Sequence, residues 1–302
     1  MSYKQLFGGV EAGGTKFVCA TGDASNKLRA TVKIPTREPE PTIREAIEFF
    51  RSQSAGGERL TAVGIGSFGP LELNKEAPNF GHILTTPKPG WQDFDIHGAF
   101  AQALDVPVVI DTDVNAAVTG ESKWGAARGL RHCLYVTVGT GIGVGAMVDG
   151  RILHGQHHPE MGHMLIPSSP DEVEGFVGIC PYHQSCVEGL ASGSAFVKRW
   201  GSNLLDLPQE HPAWQLEAQY LAMFLSNLTF ALQPQRIVIG GGVMNETLLS
   251  LIQERLHVAL AGYRPSLAAA ESVADYLVLP GLNGRAGVLG AIAMAAQALL
   301  GQ

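Results

Sequence analysis

Phe7-Gly8-Gly9-Val10-Glu11-Ala12-Gly13-Gly14-Thr15-Lys16-Phe17-Val18-Cys19-Ala20 decides how the rest of this 302-residue chain is read. An apolar run meets a Gly-Gly-Thr-Lys turn and a second apolar run begins at once, the pattern of two strands joined by a tight hairpin. The design returns about 125 residues later as Tyr135-Val136-Thr137-Val138, Gly139-Thr140-Gly141-Ile142-Gly143 and a further apolar run. Two matching hairpins predict a sheet domain present twice, and hence two lobes facing one another.

Helical signals fill the intervals. Thr42 and Glu45 make a capping-box pattern after the proline-rich turn Pro35 to Pro41, with Ile43, Ala46, Ile47 and Phe50 as an apolar face. Pro212 suits the first turn of a long, nearly apolar helix that ends before Pro234. Ile237-Val238-Ile239 runs straight into Gly240-Gly241-Gly242, and Asn245 suits the cap of the helix that follows. Alternating hairpins, buried strands and helices define an α/β protein. The expected division is an N-terminal lobe over residues 1–115 and a C-terminal lobe over 116–285 that carries the loop 157–188, with a final helix, 286–302, packing back onto the first lobe.

Composition narrows the partners. With 45% hydrophobic residues the chain is long enough for a sizeable core. Its 28 acidic residues exceed its 21 basic ones and no Lys/Arg block occurs, so nothing marks a nucleic-acid groove. Glu11 falls where a signal peptide needs apolar sequence, and the apolar stretch Gly287 to Leu300 is too short and too rich in Ala and Gly to span a bilayer. A cytoplasmic protein without a membrane partner is the expectation. Four cysteines make a poor disulfide framework at this length, and Cys19 and Cys133, in strand-like runs, read as packed thiols.

Three features carry chemistry. A glycine turn between strands exposes several backbone N–H groups in one direction, which suits a phosphate. Any one such turn is equally a plain hairpin, but three from separate segments suit the triphosphate and nucleoside parts of ATP. The GxxxxGK[ST] spacing of the common phosphate loop is absent. Asp111-Thr112-Asp113-Val114-Asn115 follows the buried-looking strand Val106 to Ile110, at the carboxyl end where α/β ligands bind. A phosphoryl transfer needs a carboxylate to receive the acceptor proton, and Asp113 is placed for that work; the same residue types also cap helices. His163, Cys180, His183 and Cys186 supply four soft or borderline donors, the closed set of a structural zinc. His157 to His163 does not fit a metalloprotease, because the HExxH spacing fails and Pro159 and Gly162 would break the helix.

These motifs together resemble the ROK family (repressors, open reading frames and kinases) over essentially the whole chain, with the fructokinase branch the most similar. Glu11-Ala12-Gly13-Gly14-Thr15-Lys16 is similar to the family's first phosphate motif, Gly139-Thr140-Gly141-Ile142-Gly143 to its second, and Gly240-Gly241-Gly242 to its adenosine loop. The resemblance implies an actin-like (ribonuclease H-like) two-lobed sugar kinase fold with a cleft between the lobes. It implies Asp113 as catalytic base, Asn115, Glu160, His163 and Glu188 as sugar-binding residues, ATP with Mg2+ and a hexose as ligands, and a homodimer. Zinc on His163, Cys180, His183 and Cys186 would then shape the sugar pocket, since His163 serves both.

Three departures qualify the likeness. The family's CxCGxxGC spacing is replaced by Cys180-x-x-His183-x-x-Cys186, and Thr112 stands where glucose-directed members have Asn. Glu11 replaces a common Asp, which leaves its role as a magnesium ligand, direct or through water, open. The first strand starts within about ten residues of Met1, so no DNA-binding helix pair of the kind carried by the family's repressors is expected. The implied activity is ATP-dependent phosphorylation of fructose at its 6-hydroxyl. Kinases for mannose, glucose or an N-acetylhexosamine are the alternatives, and a non-catalytic sugar sensor the remotest.

Overall fold

The structure, a computed structural model, describes residues 5–53 and 59–300. Along the chain come β1 (Gln5–Ala12), β2 (Lys16–Gly22), β3 (Leu28–Pro35), α1 (Pro39–Gln53), β4 (Arg59–Ser67), a small pair β5 (His82–Ile83) and β6 (Phe94–Asp95), α2 (Ile96–Leu104), β7 (Val108–Thr112) and α3 (Asp113–Trp124). Then follow β8 (Cys133–Val138), β9 (Ile142–Val148), β10 (Arg151–Ile152), α4 (Val187–Ala191), α5 (Gly193–Trp200), α6 (Pro212–Leu232), β11 (Arg236–Gly240), α7 (Glu246–Leu260), α8 (Ala270–Tyr276), β12 (Leu277–Val278) and α9 (Ala286–Leu300).

Two compact units result, one formed by Met1–Arg128, Ile152–Pro159 and Gly281–Gln302, the other by Gly129–Arg151 and Glu160–Pro280. Their sheets repeat one topology. The first runs β3-β2-β1-β4-β7, the second β10-β9-β8-β11-β12. In each, a glycine-turned antiparallel hairpin (β1–β2, β8–β9) is extended by a parallel strand on its first member (β4 on β1, β11 on β8).

The expected boundary after Asn115 moves to Arg128. Helix α3 begins at Asp113 and packs on α9 and β4, so it belongs to the first unit. Residues 157–159 of the expected second-lobe loop also lie in the first unit. Glycine makes the α9 packing possible: a Cβ on Gly64 would stand 1.9 Å from the Ala291 carbonyl oxygen, and one on Gly290 1.6 Å from that of Ala116. Glycine away from the hairpin turns therefore serves close packing. Among the described residues no helix is long and apolar enough to cross a membrane.

Helix α1 starts at Pro39, three residues before the expected cap, so Thr42 lies inside its first turn. There its Oγ1 donates to the Glu38 carbonyl and accepts the Arg37 N–H, both at 3.0 Å, while Glu45 pairs with the Arg37 guanidinium. The first core gathers around Trp91, fully buried among Phe17, Phe68 and Phe94 with ring centroids 5.3–5.6 Å away. Its indole N–H reaches the Arg37 carbonyl at 2.8 Å, so no polar group is stranded.

Candidate active site

In the first unit the β1–β2 turn closes by donation from the Gly13 N–H to the Lys16 carbonyl, at 3.0 Å. Thr36 braces it from β3's end, its hydroxyl on the Gly13 carbonyl at 2.7 Å and its N–H on that of Thr15 at 2.9 Å. Gly14, Thr15 and Lys16 are exposed, and a Cβ on Gly14 would meet nothing within 4 Å. Space, not internal packing, is what the missing side chain leaves there, as a phosphate cradle requires.

Asp113 opens α3 at the carboxyl end of parallel strand β7. Thr112 caps the helix: its Oγ1 accepts the Asn115 N–H at 3.1 Å. The capping duty that the sequence left open between Asp111, Asp113 and Asn115 thus falls on a fourth residue. Asp113 is partly exposed, accepts its neighbour's Val114 N–H at 2.8 Å, and has its carboxyl pushed up to about 6 by burial. Asn115 is buried, its Nδ2 donating to Asp111 Oδ1 at 2.7 Å. Glu11, half-buried on β1, accepts the Val288 N–H at 3.1 Å in the first turn of α9. Burial first, and the Asp113 charge second, raise it to about 7.

In the second unit, a cavity of about 650 Å³ joins Gly139 and Thr140 of the β8–β9 turn to Gly242 and Val243 after β11. Glycine has a backbone reason at Gly241, with φ of 102° and the Val138 carbonyl where a Cβ would go. Gly139 and Gly242 meet no such obstacle, so both leave open room facing the cavity. Residues unremarked in the sequence complete it: Gly193 and Ser194 at the N-terminus of α5, and Val197, Leu205 and Asp206. The Gly193 N–H donates to the Gly139 carbonyl at 2.7 Å, which seats a helix N-terminus, a natural anion site, on the second glycine turn. The signal available was Ser192-Gly193-Ser194 ahead of an apolar run, with Ser192 capping at 3.1 Å through Ala195 N–H.

Glu188 sits in α4 with one carboxylate oxygen on the Ile142 N–H, 3.0 Å away, and a Cβ on Gly141 would strike that oxygen at 2.5 Å. Glu160 precedes a 3-10 turn at Met161–His163, where Gly162 fits against the Ile142 carbonyl too tightly for any side chain. The β8–β9 turn, Glu160, His163 and Glu188 are therefore tied to one strand end within one unit.

The donor atoms of His163, Cys180, His183 and Cys186 all lie within 4.8 Å of one another. Cys180 Sγ is 3.7 Å from both His163 Nδ1 and His183 Nδ1, and Cys186 Sγ is 3.5 Å from His163 Nδ1. Tetrahedral zinc, with bonds of about 2.3 Å to sulfur and about 2.0 Å to nitrogen, requires S···N edges of about 3.5 Å. The chemistry and spacing of the set fit that ion. His163 presents Nδ1 to the thiols, which leaves its Nε2 edge turned elsewhere. Cys186 caps α4, its Sγ accepting the Gly189 N–H at 3.4 Å, so Cys186 and Glu188 share one helical turn.

A sheet topology carried twice, each copy with its hairpin glycine turn, and a carboxylate at the carboxyl end of a parallel strand define an actin-like α/β fold of the kind that binds nucleotides. Residues 7–298 match the ROK family, and the chain belongs to it. It is 43% identical over 295 residues to the fructokinase of Zymomonas mobilis, covering 97% of each chain. Among solved structures, the ROK hexokinase of Thermus thermophilus superposes with a TM-score of 0.78 at 28% identity, covering 98% of this chain and 100% of that one. A ROK family glucokinase from Streptomyces griseus, solved with glucose and AMPPNP, gives 0.72 at 25% identity over 97% and 99%.

Proposed function

We propose that this protein is an ATP-dependent hexose kinase that transfers the γ-phosphoryl group to the 6-hydroxyl of fructose. Asp113 carries the proposal. A carboxylate at the carboxyl end of a parallel strand, relieved of helix capping by Thr112 and raised to about 6, is ionised at neutral pH yet basic enough to take a hydroxyl proton as phosphorus–oxygen bonding develops. The likeness to a fructokinase over nearly the whole chain favours fructose, and Thr112 in place of Asn disfavours glucose.

The other roles follow the same reading. Gly13, Gly14, Thr15 and Lys16, with Gly139, Thr140 and Gly141, would hold the ATP phosphates, and Gly240, Gly241 and Gly242 the adenosine. Asn115, Glu160, His163 and Glu188 would hydrogen-bond sugar hydroxyls. Magnesium arriving with ATP would supply charge neutralisation at the phosphate oxygens. Glu11, one oxygen of which accepts the Val288 N–H, would be its carboxylate, directly or through water. Zinc on His163, Cys180, His183 and Cys186 would be structural, since four protein ligands leave no open position. A homodimer is proposed from the family resemblance, to be checked by sedimentation.

Coupled ADP release across a panel of hexoses tests the assignment. Fructose is expected to give the highest kcat/KM. A clear preference for an aldose would move the reading to glucose, mannose or an N-acetylhexosamine, which the likeness to a hexokinase and a glucokinase supports as the second choice.

A further inference from the structure

The crossover segment Ile152–Pro159 belongs to the first unit and carries three histidines, His154, His157 and His158. Two of them hold it to the sheet. His158 is buried, and its Nε2 accepts the Leu71 N–H at 3.0 Å, just beyond the end of β4; burial keeps that ring below the usual histidine range and neutral. His154 makes the other contact, at the end of neighbouring strand β7: its Nε2–H donates to Asp111 Oδ2 at 2.9 Å. The side chain of Asp111 is only 12% exposed, whereas that of His154 is 41% exposed.

The two carboxylate oxygens of Asp111 are engaged within the protein. Its Oδ1 accepts from the Thr112 N–H at 2.8 Å and from Asn115 Nδ2 at 2.7 Å, and its Oδ2 is taken by His154. The Asp111 carboxylate therefore sets which way the Asn115 amide points, with Nδ2 toward β7 and Oδ1 away from it, and His154 sets the Asp111 carboxylate. We infer that His154 and Asp111 are positioning residues for sugar binding, a His154–Asp111–Asn115 chain that holds the Asn115 amide in its sugar-accepting orientation. This rests on the assignment of Asn115 as a hexose contact.

The chain of bonds is open to titration at one end. A cavity of about 730 Å³ in the first unit is lined by Asp111, His154, His157 and Lys75, and brings water to the imidazole. The hydrogen bond it donates to Asp111 raises His154 above the ordinary histidine value. The charged and titratable groups around it are Asp111 on β7, His157 and His158 on its own segment, and Glu72 and Lys75 after β4, with Glu72 lying 3.9 Å from His157. The ion pair is complete while His154 is protonated and weakens as pH rises through its raised pKa. Sugar affinity should weaken with it, and the phosphoryl-transfer step should not.

Steady-state kinetics of the full chain with H154Q and H154A test this, with ATP saturating and fructose varied, at several pH values. H154A should raise the fructose KM about fivefold, the loss of one partly exposed charge-assisted hydrogen bond, with kcat and the ATP KM within about twofold. H154Q keeps a donor and cannot titrate, so its KM should be near the wild-type value at low pH and flat with pH where the wild type climbs. An unchanged KM in H154A, a loss confined to kcat or melting temperature, or a wild-type KM flat with pH would overturn the positioning role. If the wild type prefers another hexose, the fructose reading fails alone and the same comparison is made with that hexose. If it neither turns over nor binds any hexose by calorimetry, the kinase reading falls and the positioning role with it.

Discussion

The carboxylate of Glu11 accepts the backbone N–H of Val288, 277 residues away in sequence, and so fastens β1 to the first turn of α9. Negative charge at a helix N-terminus is favourable, yet burial and the Asp113 charge together lift Glu11 to about 7. An acid whose folded pKa lies above its ordinary value of 4.5 binds its proton more tightly in the folded chain. Stability contributed through this group therefore falls as pH rises from about 4.5 to about 7, and is flat above. Glu11→Gln retains an acceptor for Val288 and removes the titration. Melting temperature measured from about pH 5 to about pH 8 should decline less in E11Q than in the wild type, whereas parallel curves would show that Glu11 does not titrate in this range.

Asp113→Asn keeps shape and removes the base. We expect kcat to fall by about 10²- to 10⁴-fold, with ATP binding by calorimetry nearly unchanged. For the wild type, kcat/KM should fall as pH drops through about 6, because the free enzyme must hold Asp113 ionised. Turnover that survives in D113N would remove Asp113 from the mechanism.

The hairpins and their glycine turns were legible because each is written in contiguous residues, β-branched runs broken by glycine, and three of the four clustered Cys and His residues stand three residues apart, with His163 17 positions upstream of Cys180. Asp113 was placed at a strand end, but Asp111, Thr112, Asp113 and Asn115 are all capping types, and only the backbone path shows that Thr112 takes the cap. The link of His154 to Asp111 spans 43 positions and leaves no mark in either local stretch. The boundary misplaced at Asn115 has the same cause, since the contact of α3 with α9 joins segments far apart along the chain.

Removing the metal should separate the two substrates. One equivalent of zinc is expected by elemental analysis, lost in C180S and C186S. Burial pushes the Cys186 thiol up to about 11, so in the metal-free protein it would stay protonated and the loop would lose its tie. Because Glu188 shares a helical turn with Cys186, chelation should lower melting temperature and weaken fructose binding together, with ATP affinity less affected. A metal-free protein of full stability and sugar affinity would remove zinc from the account.

Two glutamates near Arg199 should respond unequally to the same change. Glu172 receives the fully buried Arg199 guanidinium at 2.8 Å and 3.1 Å and the Tyr220 hydroxyl at 2.7 Å, while Arg199 also donates to the Leu190 carbonyl on α4 at 2.7 Å. Tyr220 in turn accepts the Ser169 N–H at 3.0 Å, so the network holds the start of the segment that leads to Cys180 against α4, α5 and α6. Glu217 on α6 has neither oxygen hydrogen-bonded, and burial drives its pKa far up despite the nearby guanidinium, which favours its neutral form. One charged carboxylate already matches Arg199. Glu172→Gln strands a buried charge and should cost about 3–5 kcal/mol of unfolding free energy, whereas Glu217→Gln exchanges one neutral group for another and should cost about 1 kcal/mol or less. Denaturant unfolding measures both, and a large loss in E217Q would show that Glu217 is ionised and shares the Arg199 charge.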